Sequence, residues 1–149
     1  MIKNLLLVGV GGFIGSVLRF GSYHLIKTNQ TFITTLIINI VGSLLIGFII
    51  GYSIKDENFS SNWKPFLASG ICGGFTTFSA FSIENIQMIH EGKYLLLIIY
   101  ILTSVLLGIA AAFIAAARGT IIFFCDCENI FKLKLLSKIK ESRNFIFQT

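Results

Sequence analysis

The residues Gly73-Gly74-Phe75-Thr76-Thr77-Phe78-Ser79-Ala80-Phe81 concentrate the chain's chemically usable groups. Five of the nine are glycine or carry a hydroxyl, yet they lie inside an apolar stretch. Paired Gly and paired Thr weaken an α-helix, and backbone groups freed at membrane depth need partners within the protein. Interrupted helices of this kind commonly line ion or substrate sites, with unwound carbonyls facing a cation. Carbonyls only accept, so the break itself suits Na⁺ and not an anion. Phe78 and Phe81 follow three positions apart, on one helical face. Aromatic rings present a positive edge, so the pair could touch a small anion through C–H groups. Packing filler or a lipid-facing role is the ordinary reading of two such rings.

Uncharged polar residues recur on other apolar stretches. Thr35, Asn39 and Ser43 repeat every four residues, as do Tyr100, Ser104 and Gly108. Such stripes commonly hydrogen-bond one helix to another. Joined to the break and the aromatic pair, they suggest something sharper. Amide and hydroxyl donors can pass an anion without trapping it as a fixed cation would. Nothing in these stretches pairs a nucleophile with a base, sets two carboxylates together or spaces His for a metal, so an intramembrane enzyme is not expected. His24 and His90 fall near expected helix ends. Cys72 reads as small apolar filler, and Cys125 with Cys127 forms a lone C-x-C without partners for zinc.

The elements that must position these groups follow from composition. The chain has 149 residues, 54% of them hydrophobic, with mean hydropathy +0.82, values of the membrane class. Apolar stretches run from Asn4 to Ile26 (interrupted at Arg19), Phe32 to Ile54, Pro65 to Ile83 and Tyr94 to Ala117. About 20 apolar residues cross a hydrocarbon core of about 30 Å, which predicts four transmembrane helices, the third broken. A soluble bundle would need far more polar surface. Lys3 ahead of the first apolar run mimics a secretory signal, but Gly9, Gly11, Gly12, Gly15 and Arg19 interrupt it and no A-x-A site follows. Gly11 with Gly15, and Gly47 with Gly51, read as small-residue packing faces. Pro65 suits a first helical turn, and Trp63 and Tyr94 suit membrane–water boundaries. The connections are too short for a soluble catalytic domain. Residues 1–118 thus form a four-helix membrane domain. Residues 119–149 form a basic tail in which lysines alternate with apolar residues, either amphipathic on an anionic lipid surface or disordered.

Three motifs in order carry a family resemblance. Gly11-Gly12-Phe13-Ile14-Gly15-Ser16-Val17-Leu18-Arg19-Phe20 is similar to the GGxxGAxxRY opening of the Fluc/CrcB fluoride channels. Thr35-Leu36-Ile37-Ile38-Asn39-Ile40-Val41-Gly42-Ser43 resembles their TLxxNxxGS element, and Gly73 to Phe81 followed by Glu84 resembles GGxTTFSTFxxE. Ala80 departs from that pattern, replacing a hydroxyl residue, and the tail runs past the usual family end. The resemblance implies a passive fluoride channel in the cell membrane. Its form would be an antiparallel, dual-topology dimer of four-helix subunits with two pores and a central structural Na⁺. It implies that the Gly73 and Thr76 carbonyls hold the Na⁺. It further implies that Phe78, Phe81, Asn39, Tyr100 and Ser104 line the fluoride pore and that Arg19 lies at an aqueous vestibule. Lipid and a second subunit, either this chain or an oppositely inserted relative, are the expected partners, and nucleic acid is not.

The main rival is a small four-helix proton-coupled exporter of the multidrug type. That mechanism needs a membrane-embedded carboxylate, and Glu84 is the one candidate, expected close to the third helix's end. A non-transporting assembly subunit would explain the packing glycines but not the break beside the aromatic pair. Orientation is nearly balanced in the core. Lys3, Lys55, Lys64 and Arg118 fall on the side of the termini, and Arg19, Lys27 and Lys93 nearer the other. The tail adds positive charge to the first side, predicting a bias toward both termini in the cytoplasm.

Overall fold

The computed structural model describes residues 1–26, 28, 30–54, 59 and 63–118. The tail with Cys125 and Cys127, and the loop residues Lys27 and Lys55, lie outside the described residues. Four helical stretches are long and apolar enough to cross a membrane, as expected. The first is α1, Ile2–Leu25, and the second is α2, Thr31–Ser53. The third, Pro65–His90, is divided. Its first part, α3 (residues 65–75), joins Pro65–Cys72 to one turn at Gly73–Phe75, and its second part is α4, Phe78–His90. The fourth is α5, Tyr94–Arg118.

Two glycine faces set the packing. A Cβ on Gly11 or Gly15 would collide with α3 backbone, at the carbonyl oxygens of Phe66 and Ile71 respectively. A Cβ on Gly70 or Gly74 would in turn meet the Gly11 or Gly12 backbone. Helices α1 and α3 therefore touch backbone to backbone, which small residues alone allow. On the other side Gly47 and Gly51 of α2 face Ala112 and Ala116 of α5 in the same way. Both glycine pairs legible in the sequence thus act as packing faces.

The residues Pro65–Cys72 wind as wider π-turns, in which the Gly73 N–H reaches back five residues to the Ala68 carbonyl. Nothing in the sequence reading anticipated this. Pro65 opens the segment, where its missing N–H removes no helical bond. The break is also narrower than the sequence implied. The glycine pair stays helical, and only Thr76 (φ −74°, ψ 156°) and Thr77 (φ −146°, ψ 113°) are extended. Beyond them α4 continues to His90, so Glu84 lies at mid-helix and not near the end of the span.

Candidate ion-conduction site

The two extended threonines are held by side chains from either direction. Thr77 N–H donates to Asn39 Oδ1 at 2.9 Å, and Asn39 Nδ2 donates to the Thr77 carbonyl at 3.3 Å. The Asn39 amide thus pairs with both backbone groups of one residue as a neighbouring strand would. Thr77 Oγ1 accepts the Ala80 N–H at 3.2 Å and caps α4. Thr76 Oγ1 donates to the Cys72 carbonyl at 2.9 Å, and the Thr76 methyl packs on Gly42, where a Cβ would not fit.

The break takes the helical donors from the carbonyls of residues 73–76, and the clamps claim the donors of two of them. In an unbroken helix Gly73 would receive the Thr77 N–H and Thr76 the Ala80 N–H. Here Asn39 takes the first donor and Thr77 Oγ1 takes the second. Gly73 and Thr76 are the residues whose carbonyls the resemblance assigns to Na⁺. Arg19 Nη1 lies 3.4 Å from the Thr76 carbonyl, so its guanidinium reaches the break from α1 in a half-buried position. A carbonyl has two lone pairs, and one donor leaves the second open.

Past the break, Phe78 and Phe81 lie with ring centroids 5.7 Å apart, and Phe81 meets the Tyr100 ring at 5.1 Å. Phe78 is 79% exposed on this subunit, whereas Tyr100 is 2% exposed. The Tyr100 hydroxyl donates to Glu84 Oε2 at 2.7 Å, and Thr35 Oγ1 donates to Glu84 Oε1 at 2.6 Å. Tyr23 of α1 completes the row, its hydroxyl 2.7 Å from Thr35 Oγ1. Since Thr35 spends its one proton on Glu84, Tyr23 is the donor to Thr35. Glu84 is 7% exposed, and two hydroxyls from different helices answer a carboxylate that would be costly to bury alone. One turn along α5 from Tyr100, Ser104 Oγ is buried and has no partner among the described residues.

One cavity adjoins the break and a second adjoins this row. The first, of about 340 Å³, is lined by Asn39, Ser43, Cys72, Gly73, Thr76 and Phe78. The other, of about 230 Å³, reaches from Glu84 past Gln87 to Glu91 and Lys93 at the turn between α4 and α5. The structure brings Asn39, Gly73, Thr76 and Phe78 together at the first cavity. Phe81 meets Tyr100, which belongs to the row, with Ser104 one turn from Tyr100, and Arg19 reaches the break from α1. The sequence reading did not identify Tyr23, and it treated Glu84 as a helix-end residue. No residue spacing signals either contact. Among the described residues, no cluster of His, Cys, Asp and Glu could hold a metal ion through side chains.

Comparison with known proteins places the chain in a family. The family described as CrcB-like protein, Camphor Resistance (CrcB), matches residues 6–116. A protein of Azobacteroides pseudotrichonymphae genomovar. CFP2 is 45% identical over 114 residues, covering 74% of this chain and 91% of that protein. One from Oceanobacillus iheyensis is 39% identical over 129 residues, covering 86% and 98%. One from Leptospira interrogans is 44% identical over 114 residues, covering 74% and 90%. Each of the three is named fluoride-specific ion channel FluC. With four spans and this likeness, the chain is a multi-pass membrane protein, and it belongs to the CrcB family.

Proposed function

We propose that the chain is one subunit of a fluoride channel, not an enzyme, and that it lets fluoride leave the cytoplasm passively. The relatives' names supply the ion. The observation that carries the reading is the Phe81–Tyr100 ring contact with an unspent Ser104 hydroxyl one helical turn away. Ring edges and a spare donor suit a small, strongly hydrogen-bonding anion. Tyr100 and Thr35 currently give their protons to Glu84, so an anion passing them must compete with the carboxylate for those donors. That exchange favours an ion that accepts hydrogen bonds more strongly than chloride does.

Buried Glu84 supplies the carboxylate that a proton-coupled exporter would need. The relatives' names decide against that rival, and the hydroxyls on both carboxylate oxygens give Glu84 a fixed place in the row. A passive path is sufficient for export. Fluoride enters cells as neutral HF and is trapped as the anion in a less acidic cytosol. A unit charge crossing 100 mV gains about 2.3 kcal/mol. At about 1.4 kcal/mol per decade, that sustains roughly a fifty-fold depletion of internal fluoride.

The exposed Phe78 and the cavity beside it, to which Asn39, Ser43 and Thr76 contribute polar groups, face out of the subunit at mid-span, where lipid would leave those groups unanswered. A second subunit inserted in the opposite sense would cover them. Gly73 and Thr76 would hold Na⁺ between the two, since each carbonyl has lost its helical donor. Bound there, the ion would supply positive charge that ties the two breaks together.

Purified protein in liposomes should dissipate a fluoride gradient without a proton gradient, with chloride far slower. Phe78→Ile and Phe81→Ile keep apolar bulk but remove the ring edge, so each should cut flux at least ten-fold in an assembled dimer. Replacing Na⁺ with a large organic cation should lower both flux and the thermal midpoint. Flux of organic cations, or strict dependence on a proton gradient, would return the exporter reading to first place.

A further inference from the structure

Conduction as described leaves unexplained the corner where α4 turns into α5. Its chain path is fixed by Gly92, at φ +70°, whose N–H donates to the Ile89 carbonyl at 3.0 Å. The Lys93 N–H donates to the Met88 carbonyl and the Glu91 N–H to the Gln87 carbonyl, each at 2.9 Å. This paired closure satisfies the last carbonyls of α4 and so mutes its negative end. The start of α2 borders the same cavity through Gln30, Thr31 and Phe32, and it has no side-chain cap. The Ile33 N–H donates to the Gln30 carbonyl at 3.2 Å, and those of Thr31 and Phe32 keep their positive character beside the cavity. Lys93 also opens α5, its carbonyl accepting the Leu97 N–H at 3.0 Å. The cavity floor is Glu84, and at its rim Lys93 Nζ lies 2.7 Å from Glu91 Oε2, both side chains more than half exposed.

We propose that this cavity is an aqueous mouth of the conduction path and that the Lys93–Glu91 pair sets the local anion concentration there. The proposal rests on the channel reading above. A carboxylate at the floor repels an approaching anion, and the uncapped α2 end and Lys93 offset that repulsion. Glu91 cancels most of the field of Lys93, so the rim neither traps an anion nor adds to the repulsion from Glu84, as conduction requires. The backbone bonds that anchor Lys93 keep its charge at the rim. A unit charge about 10 Å from an anion in water changes the anion's local concentration about two-fold.

The test is fluoride efflux from liposomes containing the full chain, in about 10 mM sodium fluoride alone and with about 1 M impermeant sodium salt. Those conditions move the screening length from about 30 Å to about 3 Å. At low salt Lys93→Gln should lower flux about two-fold and Glu91→Gln should raise it about two-fold. Lys93→Arg should keep parental flux, and the double variant Glu91→Gln/Lys93→Gln should return to it. All differences should vanish at high salt. Single variants that match the parent at low salt, or changes that persist at high salt, would overturn the mouth. A parent protein that inserts in both orientations and still moves no fluoride at either salt would overturn the channel reading instead.

Discussion

Ser104 Oγ is buried on α5 without a partner among the described residues, whereas both polar atoms of the Asn39 amide are tied to Thr77. In the sequence the two looked alike, as neutral donors on polar stripes. Their substitutions should therefore separate. A buried donor left unsatisfied costs roughly 1–3 kcal/mol, so Ser104→Ala should hold or raise stability while it lowers fluoride flux. Asn39→Asp keeps an acceptor for the Thr77 N–H but sets a second acceptor against the Thr77 carbonyl. It should cost on the order of 1–3 kcal/mol in stability. It should also abolish flux, because a fixed negative charge in a poorly solvated path repels an anion. Thermal unfolding in detergent and liposome flux, measured on both variants, check the contrast. Stability lost and flux kept in Ser104→Ala would make that serine interhelical glue. Glu84 belongs at this scale too. It was read as a helix-end residue because the apolar count stopped at Ile83. Its partners Thr35 and Tyr100 lie 49 and 16 positions away, so only the folded chain brings them together.

Helix α4 begins on a threonine cap, and that cap is what turns a weak stretch into a defined break. Thr77→Val removes the acceptor for the Ala80 N–H, and Thr77→Ser preserves it. The valine variant should lose about 1 kcal/mol, the usual worth of an N-cap, and the serine variant should stay near the parent. A thermal midpoint that held in the valine variant and fell in the serine variant would place the value of Thr77 in its methyl group and not in its hydroxyl. The four spans and the glycine faces were legible because apolar length and small-residue spacing are properties of one segment at a time. Gly11 with Gly15 and Gly47 with Gly51 needed no partner to be recognised. The break was legible only coarsely, since hydroxyl and glycine content marks weakness over several residues. Where it falls is marked by Asn39, 38 positions from Thr77, which pairs with the backbone of the extended residue. The π-turns of α3 carry no composition signal, because Pro65–Cys72 would satisfy an ordinary helix equally well.

Across the whole molecule, Arg19 changes the charge balance that sets orientation. The sequence counted it among the charges nearer the side opposite the termini, giving four positive residues on the side of the termini against three. Folded against the Thr76 carbonyl it belongs to the interior of the span, leaving Lys27 and Lys93 opposite Lys3, Lys55, Lys64 and Arg118. The tail adds Lys132 and Lys134 within about 15–20 residues of the last span end, the range over which positive charge biases insertion. Both contributions favour termini in the cytoplasm. An antiparallel pair made from this chain alone then depends on a minority inserted the other way, and a pair with an oppositely inserted relative does not. Reporters fused after residue 149 should find the cytoplasmic orientation in excess. Changing Lys132 and Lys134 together to Gln should shift part of the population to the opposite orientation. If this chain pairs with itself, that shift should raise the yield of conducting dimers, because the scarcer orientation limits assembly. A single orientation in the parent, with no flux from the purified chain, would require the relative. Unchanged orientation after both tail lysines are lost would leave Lys3, Lys55, Lys64 and Arg118 as the charges that decide it.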